Sequence, residues 1–472
     1  MSDDKHEMEY IFHPRSVAIV GVSDNPTNVV NFFFLQSLLE CGFKGRIYPV
    51  HRRLSEIAGL RAYPSITDIP GPVDFAIFGV GREDVPGLME QCVAKGVKIV
   101  SLYSGGFSEN GNEAGKELET GVLKLARKGG IRLIGPNCLG LYCPNSGLSF
   151  TPYASQTGGE VGYLCQSGTH AFNLVETGPP RGVHFSKVIS YGNAADLDEI
   201  DFLDYLIHDP ETRIIAAYIE GVKDGPRFAR LLKRGAEAKP IIVFKGGKSE
   251  GGTRAISSHT GAMAGSSRVW DGVLKQSKVV SCSSIEELTD LLVTFSNMPL
   301  PKGRNSAIIG TGGGPTVMAV DECERAGLSV PRIEPSLERK LKEFSPVIGT
   351  NLMNPIDSPV ILERDGVIKT IKTLASSSVI DFLLIHMEPH GIFHFMSETT
   401  GNMLDEADGI IQVAKECAKP IALVLKPGLC SGMAKVGFRL QETFVDAGFP
   451  VYPTVSRAVN AISKLLNHAA VY

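Results

Sequence analysis

The sequence lacks any run of about 20 uninterrupted apolar residues, so no segment reads as a membrane span. It also lacks a surplus of positive charge: 47 basic residues stand against 51 acidic ones, a net −4, which leaves no field to attract a nucleic-acid backbone. Its nine cysteines lie at 41, 92, 138, 143, 165, 282, 323, 417 and 430 without a C-x-x-C pair, which excludes a zinc ribbon and a disulfide framework. They read as small buried hydrophobes in a reducing compartment. Tryptophan is nearly absent, and the single Trp270 suits packing better than ligand stacking. No low-complexity tract or strict repeat occurs. With the polar, acidic start Met1-Ser2-Asp3-Asp4-Lys5, the expectation is a soluble cytoplasmic protein.

What is present is globular: 472 residues, 43% hydrophobic and 21% charged, with 51 Gly and 28 Pro. At about 150 residues per domain, that length predicts three domains. Short apolar runs ending in glycine recur with room for a helix between them, which is the spacing of repeated βα units. A first set runs Ser16–Val22, Arg46–Val50, Asp74–Val80, Lys98–Tyr103 and Ile131–Ile134. A second runs Val161–Cys165, Lys187–Ser190, Ile214–Ile219, Ile241–Phe244 and Val279–Cys282, and a third Ala307–Gly310, Leu328–Val330, Asp381–Ile385, Ile421–Leu425 and Pro450–Tyr452. Runs that are apolar throughout suit parallel strands buried on both faces. Turn-rich passages at 143–159 and 296–303 separate the sets. The predicted architecture is α/β, three consecutive doubly wound parallel-sheet domains over 1–151, 152–297 and 298–472.

Chemistry is expected at the carboxyl ends of these strands. Gly21, Ser23 and Pro26 form a small-residue turn that lets backbone N–H groups approach a phosphate, although the full G-x-G-x-x-G pattern of a dinucleotide site is missing. After the second strand come His51, Arg52 and Arg53, either a bidentate phosphate grip or a solvated surface pair. Ser104-Gly105-Gly106-Phe107 and Gly135-Pro136-Asn137 follow later strands on the same edge, and both permit close backbone approach. In the second set, Ser167-Gly168-Thr169 can hold a phosphate through hydroxyl and backbone together. His259 stands among small residues in Ser257-Ser258-His259-Thr260-Gly261-Ala262, read as a loop leading into a helix. There an imidazole is either a nucleophile for an activated phosphoryl group or a surface cap. His386, His390 and His394 have helical metal-ligand spacing, but Pro389 and Gly391 break the helix that spacing needs, so no metal site is predicted.

Taken in order, His13-Pro14-Arg15-Ser16-Val17-Ala18 with Gly21, Ile47-Tyr48-Pro49-Val50, Gly135-Pro136-Asn137-Cys138-Leu139-Gly140, Gln166-Ser167-Gly168, Tyr218-Ile219-Glu220-Gly221 and Ser258-His259-Thr260-Gly261-Ala262 resemble the NDP-forming acyl-CoA synthetases. These are relatives of succinyl-CoA synthetase, and the likeness is to their alpha subunit. The resemblance implies a Rossmann-like CoA-binding domain, a flavodoxin-like domain carrying a phosphohistidine, and a flavodoxin-like ligase domain. It maps the phosphohistidine onto His259, its supporting glutamate onto Glu220, and the phosphate turn onto Ser167, Gly168 and Thr169. Coenzyme A is then a substrate, held near Gly21, Ser23, Pro26, Arg53, Ser104, Gly105, Gly106, Phe107 and Asn137. The nucleotide, NDP or NTP with Mg2+, belongs to a separate ATP-grasp beta subunit. In the third set, Gly312-Gly313-Gly314-Pro315, Asp321 and Asn354-Pro355-Ile356-Asp357 also fit. The chain departs from the family with His51-Arg52-Arg53 in place of Asn-Pro-Lys, with Cys165 in place of serine, and with a bulkier helix after residue 28. The alternatives are a CoA- or acyl-CoA-sensing protein and a related acyl or carbamoyl transferase. Both Glu220 and His259 being present favours the synthetase.

Overall fold

The computed structural model describes residues 8–23, 29–259, 266–310, 312–345, 351–358, 364–387, 400–427 and 431–471. The first apolar runs become β1 (Ser16–Val20), β2 (Arg46–Val50), β5 (Phe75–Phe78), β6 (Ile99–Leu102) and β7 (Arg132–Ile134), with a small hairpin of β3 (Glu56–Ile57) and β4 (Leu60–Arg61) between them. The five pair in parallel in the order β2-β1-β5-β6-β7. Every residue of β1, β5 and β6 is buried, as strands covered on both faces require.

The second sheet contains β8 (Gly140–Tyr142), β9 (Val161–Cys165), β10 (Phe185–Ser190), β11 (Ile214–Ile219), β12 (Ile241–Lys245) and β13 (Val280–Cys282), in the order β13-β12-β11-β9-β10-β8. All pairs are parallel except β8, which runs antiparallel along the β10 edge. Thus Gly140–Tyr142, which precedes the expected boundary at 151, already belongs to the second sheet.

The third sheet contains β14 (Ser306–Gly310), β15 (Ile356–Asp357), β16 (Phe382–Met387), β17 (Ile421–Leu425) and β18 (Val451–Tyr452), in the order β15-β14-β16-β17-β18, again parallel. Here one expectation fails. Leu328–Val330 is not a strand of the sheet; Ser329 makes only an isolated bridge to Asn305, and Ile356–Asp357 takes the edge position. The ladder cannot continue past Val330, because Pro331 has no N–H to donate.

The five parallel strands of each sheet therefore share one order, with the reversal beside the first parallel strand of each. Ligands of open α/β sheets bind at that reversal, beyond the carboxyl ends of the strands. By contacts the described chain forms two compact units: Met1–Thr177 with His184–Leu288, holding the first two sheets, and Gly178–Val183 with Thr289–Tyr472, holding the third. Within the second unit, Asp290 is buried and accepts from Arg181 (3.0 Å) and from the Arg457 guanidinium (2.5 and 2.8 Å), which fixes Gly178–Val183 to that core. No helix among the described residues is long and apolar enough to cross a membrane.

Candidate active site

At the first reversal, Gly21 has φ +85°, and a Cβ there would stand 2.5 Å from the Gly79 carbonyl oxygen, so only glycine lets the turn pass the end of β5. The turn borders a cleft of about 580 Å³ lined by Gly21, Ser23, His51, Arg53, Asp84 and Leu88, among others. Pro26 lies outside the described residues. The two neighbouring arginines differ. Arg52 is ion-paired with Asp84 at 2.8 Å, whereas no described residue pairs with the exposed Arg53 guanidinium. His51 shapes this turn: its Nδ1 accepts from the Arg53 and Leu54 N–H groups at 3.1 and 3.0 Å.

The loop after β6 departs from its expected role. The Gly106 N–H donates to Glu109 Oε1, and the Phe107 N–H donates to Glu109 Oε2 at 3.1 Å. Two amides expected to face a phosphate are thus taken by a buried carboxylate, which would itself repel one. The Phe107 side chain is fully buried in the core of the first sheet and presents no surface to a ligand. Ser104 donates its hydroxyl to the Val80 carbonyl, so it too is engaged. Gly105 remains exposed, and a Cβ there would lie 3.0 Å from Glu109 Oε1 and 3.6 Å from Asn137 Oδ1. Asn137, at φ +58°, has its N–H donated to Ser104 and its side-chain amide 3.5 Å from Asn193 Oδ1.

At the second reversal the helix Gly168–Thr177 starts directly beyond β9. Its first N–H groups have no acceptor within the helix, its first turn holds no acidic residue, and Thr169 is exposed. Ser167 Oγ accepts from the His170 N–H at 3.3 Å and so opens the helix. Across the reversal, Glu220 follows β11 and is only 5% exposed. Gln166 Oε1 accepts from the N–H groups of Glu220 (2.5 Å) and Gly221 (3.2 Å), tying the two strand ends together. The Tyr218 hydroxyl donates to Glu220 Oε1 at 3.2 Å.

Sequence reasoning missed Lys245, the last residue of β12. Its buried Nζ donates to the Glu220 carbonyl at 2.8 Å, and burial pulls its pKa down to about 8. The only signal was a charge closing an apolar run. His170 was missed as well: its ring lies edge-on to Tyr218 at 4.6 Å, and burial lowers its pKa. Cys165 behaves as the bland reading expected, with burial pushing its thiol up to about 12.

His259 is the last residue of the helix Glu250–His259 rather than part of a loop before one; residues 260–265 lie outside the described residues. That helix comes against the 3-10 turn Ser108–Asn110, within the same compact unit. In the other unit, Asp357 Oδ1 accepts the Gly312 N–H at 2.7 Å, just ahead of the helix Gly313–Arg325. His386 lies within β16, and His390 and His394 lie outside the described residues.

Residues 15–144 match the CoA binding domain family, and residues 158–295 match the succinyl-CoA ligase like flavodoxin domain family. Acetate–CoA ligase [ADP-forming] II subunit alpha of Pyrococcus furiosus is 35% identical over 98% of both chains. Acetate–CoA ligase [ADP-forming] I of Archaeoglobus fulgidus is 37% identical over 82% of this chain, but only 56% of that longer protein is matched. The dinucleotide forming acetyl-coenzyme A synthetase 1 of Ca. Korarchaeum cryptofilum, solved with phosphate and ADP, superposes with a TM-score of 0.82 at 31% identity. That superposition covers 98% of this chain and 97% of the solved one.

Proposed function

The chain belongs to the ADP-forming acid–CoA ligases, and from that premise we propose that it is the alpha chain of such an enzyme, working in the cytoplasm with a separate ATP-grasp beta subunit. The observation that carries this reading is the end-to-end match to a separate alpha subunit, supported by an acid-free helix start beside a buried glutamate.

The reaction runs in three reversible steps. Inorganic phosphate attacks the thioester carbonyl of acyl-CoA, the C–S bond breaks, and acyl phosphate and CoA result. A nitrogen of His259 then takes the phosphoryl group from the acyl phosphate and releases the carboxylic acid. Finally the phosphohistidine passes its phosphoryl group to a nucleoside diphosphate, held with Mg2+ in the beta subunit. A nitrogen carrier suits this sequence, because phosphohistidine is reactive enough to phosphorylate a diphosphate.

The proposed roles follow chemistry. Ser167, Gly168 and Thr169 hold phosphate with the helix N–H groups, where the helix dipole favours an anion. Glu220 orients His259 and supports the imidazolium that develops, as the carboxylate does in a carboxylate–imidazole pair. CoA lies along Gly21, Ser23 and Pro26 with Arg53 on its terminal phosphate, and reaches Asn137 and the backbone of Ser104 and Gly105. Residues 1–151, 152–297 and 298–472 are the corresponding modules in outline, with Gly140–Tyr142 lending a strand to the second sheet and Gly178–Val183 and the chain from Thr289 joining the unit of the third. The test is co-purification of the chain with its native partner, followed by assay of ATP- and CoA-dependent thioester formation over a panel of acids. Thioester formation by the pair but not by this chain alone is expected. Full activity of the chain alone refutes the division of labour.

A further inference from the structure

The proposed reaction requires the thioester end of CoA, on the first sheet, to meet a phosphate on the second. Glu109 and Asn193 help to span that gap, and the Asn193 amide also lies 3.2 Å from Glu119 Oε2. Glu109 is 7% exposed and accepts the N–H groups of Gly106 and Phe107, so its carboxylate determines where the exposed Gly105 peptide sits. The same carboxylate accepts the Asn193 Nδ2 amide at 2.6 Å, and Asn193 belongs to the segment that follows β10 of the second sheet.

Asn193 holds the neighbouring loop too. Its backbone N–H donates to the Pro136 carbonyl at 3.0 Å, and a Cβ on the adjacent Gly192 would stand 2.2 Å from that same oxygen. Two residues on, the Ala195 N–H donates to Gly135 at 2.9 Å. The Ala194 carbonyl accepts the ammonium of Lys223, three residues beyond Glu220. The helix that ends at His259 packs on the turn containing Glu109.

We propose, on the reading of the function given above, that Glu109 and Asn193 are positioning residues which register the Gly105 loop of the first sheet against the phosphate turn of the second. Neither touches the reacting atoms. Both loops that border the thioester end hang on the Asn193 amide and backbone, and misplacing a reacting group by about 1 Å costs up to roughly 100-fold in rate.

The chemistry of the pair dictates the variants. Glu109→Gln keeps the size but turns an NH2 either toward the Gly106 N–H or toward both the Phe107 N–H and the Asn193 amide, donor against donor. Asn193→Ala removes the arm between the sheets and leaves the Glu109 contacts with its own loop. With the complete enzyme and its partner subunit, two partial reactions separate the roles: phosphohistidine formation from labelled ATP, and discharge of that label by acid plus CoA. Asn193→Ala should slow discharge about 10- to 100-fold while leaving ATP labelling within about twofold of the parent, and Glu109→Gln should do the same or more. Melting curves show whether each variant is folded; if Glu109→Gln is not, Asn193→Ala decides alone. Discharge at the parental rate in folded Asn193→Ala overturns the proposal, and so does equal slowing of labelling and discharge. A parent enzyme that never labels would instead refute the underlying function.

Discussion

Two glycine-containing turns, one after β6 in the first sheet and one after β9 in the second, have opposite electrostatic characters. The Ser104–Phe107 loop is closed from within, since Glu109 takes the N–H groups of Gly106 and Phe107. The Ser167–Thr169 turn has no acid in the first turn of its helix, and its exposed end faces outward. In the third sheet, Asp357 takes the Gly312 N–H and repeats the closed pattern. Glycine permits a backbone to approach an anion, but an internal carboxylate that arrives first makes the loop a scaffold. An anion site is a turn whose donors are left over.

The contrast is broken most completely at His259. His259→Ala should abolish acid-labile phosphorylation of the chain by ATP and its partner, with CoA binding close to that of the parent. Labelling of His259→Ala at the parental rate would assign the carrier to another histidine.

A second variant converts the open turn into a closed one. Thr169→Asp places a carboxylate at the exposed start of the helix, where the dipole favours it, so the melting temperature should hold or rise. Phosphate use should nonetheless fall roughly 100-fold, because juxtaposed like charges cost several kcal/mol. An unchanged KM for phosphate would remove the turn from the site.

Arg52 and Arg53 sharpen the comparison within one cleft. Arg53, with no described partner, should matter for the CoA phosphate, and Arg53→Ala is expected to weaken CoA about 10- to 150-fold, from a charge-assisted bond of about 1.5–3 kcal/mol. Its effect on dephospho-CoA should be small. Arg52→Ala should change both little, because Asp84 already holds that guanidinium. Calorimetry with the two ligands separates these outcomes; equal losses for CoA and dephospho-CoA would exclude contact with the terminal phosphate.

The smallest effect belongs to a second buried acid. Glu199, 1% exposed, has an Oε1 with no hydrogen-bond partner among the described residues, and burial raises its pKa to about 7 from 4.5. A carboxyl with a raised folded-state pKa stabilises fully below the unfolded value and loses that contribution as pH rises through the folded one. Stability carried by Glu199 should therefore drain between pH of about 4.5 and 7. Glu199→Gln should melt a few degrees above the parent at pH 8 and close to it at pH 5. A gap that does not widen with pH would show that the carboxyl is not held protonated.

The three sheets were legible because buried parallel strands leave continuous apolar runs, and a run such as Ile214–Ile219 has few other uses. Strand ends carrying glycine were equally legible as the edge where a ligand binds. Leu328–Val330 misled because it has the composition of a strand, and only the competition for the β14 edge, won by Ile356–Asp357, shows otherwise. His259 was placed in a loop because small residues dominate its neighbourhood, yet the helix from Glu250 runs through to it.

The sequence by itself determined the α/β class, the parallel sheets, the family and the order of the candidate motifs, all of which depend on residues near one another in the chain. Tertiary structure alone decided which turns keep free donors. Glu109 reaches back only two or three residues, but its carboxylate is fixed there by Asn193, 84 positions away, and Gln166 ties itself to Glu220 across 54. A hydrogen bond forms where two groups meet in space, and residue spacing along a chain carries no record of which of several carboxylates will arrive.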